Sequence, residues 1–417
     1  MTSAFAWLDH SESDRQKALD IVDLFKEQDT RDELGIGTVR DALADTLFPG
    51  ISTIQTRARY LLFVPWIYKA LEDRKAKSAD VEGLARYHEI ELIYPLLATD
   101  DAVGVIGRDA KANLQRLPSS VYWSGLGVLG IRRFQGAQYQ YHRSLDSFYR
   151  GRRQQHAAAE DGIVEMGKPR TNWHEGIPSA PDAFPRSATL KLTKIEAEYL
   201  RQQIMTNVPG TLFAFLVDQA EWWDSVSLPW HHPQVGECSS RVKSHLHHAE
   251  LFSLTMSGVV LLYNLMLAEM RESGHSGVTG QSGRLVDLYR SELGEWYEEI
   301  GNRHRELAQW VDARSEFWTL VGNVNQRIPI PTVQFIDTWI DLALGSDGID
   351  ALIGSRSARD LVRNREMRLK RKMARLISPR ALELWSGAAG TGRLSYRWAQ
   401  VQTILWDILR GLGKEPR

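Results

Sequence analysis

Cysteine is nearly absent from this sequence, since Cys238 is the only one in 417 residues. A single cysteine excludes an intramolecular disulfide and any zinc site made of paired cysteines. This usage is typical of a reducing compartment, and the first residues show neither the basic stretch nor the long apolar run of a secretory signal. We therefore expect a cytoplasmic protein.

Recognisable catalytic signatures are lacking as well. The sequence contains no GxSxG motif and no kinase motif. Two glycine-rich stretches, 274–283 and 387–393, lack the GK[ST] ending of a phosphate-binding loop, and no hydrophobic strand precedes either one. We interpret both as flexible connectors, and we expect no catalytic residue and no cofactor.

The sequence also has almost no net charge, because its 51 Lys and Arg residues nearly balance its 52 Asp and Glu residues. The two ends of the sequence nevertheless differ in charge. Residues 1–50 hold five basic and eleven acidic residues, whereas residues 356–417 hold fifteen basic and five acidic residues. This asymmetry indicates a basic partner for the acidic end, and an acidic partner or nucleic acid for the basic end.

Strand patterns are scarce, and apolar residues recur mostly at the three- and four-residue spacing of helices. We predict an all-α, mainly helical, multidomain fold. It comprises an N-terminal helical domain at 1–155, a linker or extended loop at 156–190, and a C-terminal helical bundle at 191–417. Thr193 and Glu196 have the spacing of a capping box, which predicts the start of a helix there.

One apolar run, Leu251–Ala268, reaches the lower end of the length that spans a bilayer. Several polar residues interrupt it, and Glu250 and Glu269 flank it where a membrane helix usually has a cluster of Lys and Arg. A helix that is apolar all round is also what the centre of a large bundle requires. We favour a buried core helix and expect no membrane partner.

The strongest functional signal is the segment Arg356–Arg380, here called the basic segment, which has ten Lys and Arg against Asp360 and Glu366. Arrays of cations bind a phosphate backbone through counterion release, and arginine suits bidentate phosphate contacts. The predicted nucleic-acid-binding residues of this segment are Arg359, Arg363, Arg365, Arg368, Lys370, Arg371, Lys372 and Arg375. The alternative is a helix face that pairs with the acidic stretch 337–350.

A second basic stretch, residues 132–153, interleaves arginine with aromatic residues that can stack on exposed bases. The predicted order of helix, turn, helix and hairpin over 109–143 is that of a winged helix, with a recognition helix at 119–131 and a small β wing at 135–143. The predicted binding residues here are Arg132, Arg133, Arg143, Arg150, Arg152 and Arg153. The alternative is a half-buried aromatic hairpin with exposed arginines.

Histidines and carboxylates between 231 and 250 carry a competing hypothesis, a metal-dependent nuclease or other hydrolase. His245, His247 and Glu250, with His231 and His232 upstream, are residue types that ligate zinc and hold a hydrolytic water. Their spacing matches neither HExxH nor a Cys/His pattern, and on one helix it scatters the side chains over different faces. Solvated histidines are favoured, and no metal site is expected.

Five segments together carry a family resemblance that extends over nearly the whole chain. They are Ser3–Arg15, Gly37–Tyr68, Ser119–Arg133, Leu262–Glu269 and Arg380–Trp398. They resemble a bacterial protein family without an assigned function. The resemblance implies an accessory component of mobile or anti-phage defence loci, encoded near helicases, methylases or nucleases, and it implies no catalytic residues.

The sequence thus favours a non-enzymatic accessory subunit of a bacterial anti-phage defence system that engages nucleic acid. The expected partners are DNA or RNA, and other protein subunits such as a helicase, a methylase or a nuclease. Two alternatives stay open: the metal-dependent hydrolase, and a pure protein scaffold in which the basic segment is paired internally.

Overall fold

The structure, a computed structural model, describes residues 32–160, 171–274 and 282–415. Most of these residues are helical, and no β-strand occurs within those three ranges, so the mainly helical all-α prediction is confirmed. The chain divides into two compact units. The first unit comprises residues 32–42 and His248–Leu394, and the second unit comprises Leu43–His247 and residues 395–415. The predicted domain boundaries stay a prediction.

The helices are numbered along the chain, and two of them, α1 (Gly37–Leu47) and α9 (Ser240–Gly274), have residues in both units. The second unit also contains α2 (Tyr60–Asp73), α3 (Val81–Glu91), α4 (Ile93–Leu97), α5 (Pro118–Val128), α6 (Gln138–Glu160), α7 (Lys194–Asn207), α8 (Leu212–Gln219) and α17 (Trp398–Gly411). The first unit also contains α10 (Ser282–Asn302), α11 (His304–Asp312), α12 (Arg314–Val324), α13 (Ile330–Leu344), α14 (Ile349–Gly354), α15 (Arg356–Lys370) and α16 (Pro379–Glu383).

The core of the first unit forms around the apolar part of α9. Trp296 and Trp339 stack at 6.0 Å between ring centroids, and their indole N–H groups donate to the carbonyls of Leu254 and Thr255. Nearly all of the apolar stretch in α9 is buried. Within the described ranges α9 is the one helix long and apolar enough to cross a membrane, and its burial supports the predicted core helix.

In the second unit, α7 packs against both α8 and α17. The predicted capping box is confirmed: Thr193 Oγ1 accepts from the backbone N–H of Glu196, and the Glu196 carboxylate accepts from the N–H of Thr193. The same carboxylate pairs with Arg59 at 2.7 Å, so one cap residue also anchors α7 to the segment before α2.

The predicted β wing at 135–143 is wrong, because residues from Gln138 onward belong to α6. Tyr141, Leu145 and Tyr149 recur every four residues and are buried, which is a helical stripe. The alternation of glutamine and tyrosine at 138–141 is too short to outweigh that stripe. The described ranges contain only an isolated antiparallel bridge between Arg132 and Trp173.

The first helix of the proposed helix–turn–helix is also missing, because 109–116 contains only the 3₁₀ turn Lys111–Asn113. Residues 171–190, inside the predicted linker or extended loop, have irregular backbone that packs in the second unit. The indole N–H of Trp66 donates to the carbonyl of Pro178, and Arg59 donates to Thr189. Residues 1–31, 161–170 and 275–281 of the predicted domain, linker and glycine-rich connector lie outside the described residues.

Candidate nucleic-acid interface

The basic segment begins as α15, whose N-cap Ser355 accepts from the backbone N–H of Ala358 at 3.2 Å. The helix ends at Lys370, and Arg371 follows with a φ of +52°, which turns the backbone into the short 3₁₀ helix Arg371–Met373. This geometry divides the predicted binding residues into a group with bonds inside the unit and a group that faces solvent.

Arg365 belongs to the internal group and is only 6% exposed. Its guanidinium donates to the carbonyls of Leu34, Gly35 and Pro331 at 2.7, 2.8 and 3.1 Å, and to Thr332 Oγ1 at 2.9 Å. Burial lowers the pKa of this guanidinium. Arg365 therefore holds the segment 32–35 in place, and it is not available to a phosphate.

Lys370 and Arg375 also point into the first unit, where both pair with Glu33. Lys370 Nζ further donates to Glu366, a fully buried carboxylate that also accepts from Tyr263 Oη at 2.6 Å. Burial by itself would raise the pKa of Glu366, but hydrogen bonds from Tyr263 and from two backbone amides, together with the charge of Lys370, lower it. These residues form a structural ion-pair network.

Arg359 completes the internal group. Its two terminal nitrogens donate to the carboxylate of Glu269 at 2.8 and 3.0 Å, and its Nε donates to the carbonyl of Ile353 at 2.7 Å. The predicted alternative partner, the acidic stretch 337–350, pairs elsewhere, since Asp341 and Asp337 lie 2.5 and 3.6 Å from Arg314.

Four predicted cations, Arg363, Arg368, Arg371 and Lys372, face solvent and are here called the cationic surface. Arg363 makes only an exposed ion pair with Asp360 at 3.2 Å. The side chains of the other three make no hydrogen bond or ion pair with any residue that the structure describes. Exposed apolar side chains lie among them, namely Met367, Leu369 and Met373, which are 39%, 44% and 65% exposed.

The second predicted cluster lies on α6 in the second unit. Tyr139, Arg143, Arg150 and Arg153 recur at the spacing of one helix face, and all are exposed. The guanidinium of Arg143 lies over the ring of Tyr139 at 5.8 Å, and that of Arg152 lies over Phe148 at 5.7 Å. The face combines cations with an aromatic ring that is 58% exposed, the combination expected of a surface that stacks on bases.

Arg132 and Arg133 differ from the arginines on α6. Arg132 donates to the carbonyls of Trp123 and Phe134 and lies 4.8 Å from the ring of Trp123, and burial lowers its pKa. Arg133 is exposed and lies 3.6 Å from Glu175. Arg132 is therefore a structural residue, and Arg133 is a weakly paired surface cation.

A buried polar network in the second unit was not predicted. The carboxylate of Glu89 accepts from the backbone N–H and the hydroxyl of Ser119 at 2.6 and 2.7 Å. Gln138 donates to both Ser119 Oγ and Tyr68 Oη, and Tyr68 Oη lies 3.0 Å from His142 Nε2. Burial raises the pKa of Glu89 to about 7. No local sequence pattern predicts this network, because its members come from four different helices, α2, α3, α5 and α6.

Two residues of the hydrolase hypothesis have other partners, and so does the neighbouring His248. His232 Nδ1 accepts from the backbone N–H of Gln234 at 3.2 Å, and Glu250 pairs with Arg303 at 2.6 Å. His248 Nδ1 accepts from the indole N–H of Trp310 at 2.9 Å. Burial lowers the pKa of His232 to about 4 and raises that of the Cys238 thiol to about 11. Among the described residues, no group of three or more His, Cys, Asp or Glu is arranged to hold a metal ion.

A comparison with known families gives one match. The model of a family described as a family of unknown function (DUF6361) matches residues 2–409. No curated protein and no solved structure matches the chain. The predicted full-length resemblance to a family without an assigned function is confirmed, and it brings no activity, partner or residue role with it.

Proposed function

We propose a function from the premise that this chain belongs to the DUF6361 family, whose function is unknown: it is a non-enzymatic protein that binds nucleic acid. One observation carries the proposal. Arg368, Arg371 and Lys372 face solvent without an acidic partner among the described residues, although Glu33, Glu269 and Glu366 neutralise their neighbours in the sequence.

Binding at the cationic surface would exchange loosely held counterions for contacts with phosphates. A phosphate that contacts Arg368 or Arg371 displaces loosely held counterions and breaks no internal ion pair, so the release of those ions favours association. A buried cation such as Arg365 would first lose several hydrogen bonds to backbone carbonyls. The exposed face of α6 also supports binding of nucleic acid, and it favours single strands because Tyr139 can stack on an unpaired base.

A salt titration tests the proposal. The protein is titrated onto labelled duplex and single-stranded DNA and RNA between about 50 and 200 mM salt. Arg368, Arg371 and Lys372 are then changed together to Ala. For each phosphate that is no longer bound by a cation, the plot of log K against log salt should become less steep by about 0.9 on duplex DNA. The loss of three such phosphates should make it less steep by about 2.7.

The control variant changes three exposed arginines on other segments of the first unit, Arg284, Arg305 and Arg327, to Ala. It removes the same formal charge, so it measures the effect of net charge alone. We expect the control to keep the wild-type slope. Equal slopes for the wild type and both variants would refute the assignment of phosphate contacts to the cationic surface.

Tyr139→Ala separates the second surface from the first. We expect this variant to lose affinity for single strands, since stacking on one base contributes about 1–3 kcal/mol, and to keep its affinity for duplexes. The role in anti-phage defence and the partner subunits implied by the resemblance stay predictions.

A further inference from the structure

The first described residues of the chain are attached to the basic segment, which carries the cationic surface. The carboxylate of Asp32 accepts from the backbone N–H groups of Ile36 and Gly37 at 2.8 and 2.7 Å. The next three residues are fixed to the basic segment, because Glu33 pairs with Lys370 and the carbonyls of Leu34 and Gly35 accept from Arg365. Residues 33–35 are therefore held at the C-terminal part of α15, and this attachment is here called the tether.

The sequence before this tether is complementary in charge to the cationic surface. Residues 1–31 contain seven acidic and four basic residues. The acidic residues are Asp9, Glu12, Asp14, Asp20, Asp23, Glu27 and Asp29. They are spread over positions 9–29, so several of them can meet the four cations in one binding arrangement.

The two partners also match in apolar character. Exposed Met367, Leu369 and Met373 lie among the cations, and a phosphate backbone would leave these side chains uncovered. Residues 1–31 hold two groups of large apolar residues, Phe5, Trp7 and Leu8 in the first and Leu19, Val22, Leu24 and Phe25 in the second. An amphipathic acidic peptide covers both kinds of side chain, whereas a polyanion covers only the cations.

We propose that residues 1–31 bind the cationic surface of the same chain and compete there with nucleic acid. The contact is inferred from the tether, from the complementary charges and from the apolar residues of both partners. Only the competition rests on the proposed function. Tethering on this scale gives an effective concentration in the millimolar range, so an intrinsic affinity of about 0.1 mM keeps the segment bound and weakens nucleic-acid binding about tenfold.

Zero-length carbodiimide cross-linking of the full wild-type chain tests the contact directly. The reagent joins a lysine amine to a carboxylate in contact with it, and Lys372 is the lysine of the cationic surface. We expect Lys372 to be linked to acidic residues within 9–29, more often than exposed Lys191 and Lys243 are, and less often as salt rises. The exposed pair Lys194 and Glu198, at 3.8 Å, is the positive control.

A mixture of chains with ordinary and heavy nitrogen distinguishes the two sources of such a link. Links within one isotope class support binding in the same chain. Links between classes would overturn the proposal in favour of a second copy. A detectable link between Lys194 and Glu198 without any link from Lys372 to residues 9–29 would also overturn it.

Nucleic-acid affinity tests the competition. A variant with the seven acidic residues of 1–31 changed to Asn or Gln should bind about tenfold more tightly at low salt. A matched control neutralises seven exposed carboxylates elsewhere, namely Glu82, Glu91, Asp109, Glu237, Asp287, Glu298 and Asp350. Equal gains in both variants would overturn competition. Links from Lys372 with no nucleic-acid binding in any variant would retain the contact and refute the proposed function instead.

Discussion

At the scale of single residues, burial decides what each cation does. Arg57 donates to Asp407 at 2.9 Å and to Asp101 at 2.7 Å, and Arg365 donates to three backbone carbonyls. Removing either guanidinium would leave buried acceptors unpaired, at a cost of roughly 1–3 kcal/mol for each neutral group. Arg371 is exposed, so its removal changes the surface charge and leaves the core intact.

Glu89 gives a prediction for the pH dependence of stability. Burial raises its pKa from 4.5 to about 7 in the folded protein, so the folded state binds its proton more tightly than the unfolded state. The resulting stabilisation is complete below the unfolded pKa and is lost as the pH rises through about 7. Glu89→Gln stays neutral and should lack this loss, which is of the order of a few kcal/mol.

The measurement is the free energy of unfolding of the wild type and of Glu89→Gln at several pH values between 5 and 8. We expect the stability of the wild type relative to the variant to fall across this range. Parallel curves would mean that Glu89 keeps an ordinary pKa in spite of its burial. Glu91→Gln, two residues later and exposed, is the control and should run parallel to the wild type.

At the scale of elements, the capping box and the long apolar run predicted more than the short alternation of glutamine and tyrosine did. The capping box at Thr193 and the buried apolar helix are in place because each rests on local chemistry or on many residues. The β wing rested on four residues, and the stripe of Tyr141, Leu145 and Tyr149 overrides it. A helix and a hairpin cannot be distinguished by so short an alternation.

Gly258 in α9 gives the prediction at this scale. A Cβ at this position would lie 2.1 Å from the ring of Trp296, so Gly258→Ala forces the indole or the helix to move. Alanine usually stabilises a helix interior relative to glycine by about 1 kcal/mol, but overpacking costs about 1–3 kcal/mol. We expect Gly258→Ala to lower the free energy of unfolding in a urea titration.

The matched control is Gly294→Ala in α10, where the added Cβ would meet no atom within 4 Å. This variant should raise the free energy of unfolding by about 0.5–1 kcal/mol, because only the intrinsic helix preference changes. The two substitutions are chemically identical and should differ in sign. A stabilising effect at both positions would show that Trp296 repacks without cost.

At the scale of the whole molecule, the chain order hides which residues belong together. Each unit combines two segments that are far apart in sequence, and Arg57 and Asp407 pair across 350 positions. The sequence located the basic segment but could not show which of its cations are paired. Their partners, such as Glu33, Leu34 and Glu269, are brought to them only by the fold.

Removal of residues 395–417 tests this organisation. The deletion takes away α17, which packs on α7 and α8, and with it the buried side chains of Trp398, Leu405 and Leu409. It also leaves Arg57 buried without Asp407, and removing one partner of a buried ion pair costs about 3–5 kcal/mol. We expect hydrogen exchange of the α2 and α7 amides to accelerate strongly. Deletion of 415–417 is the control, and full protection of α2 and α7 without α17 would refute the assignment of residues 395–415 to the second unit.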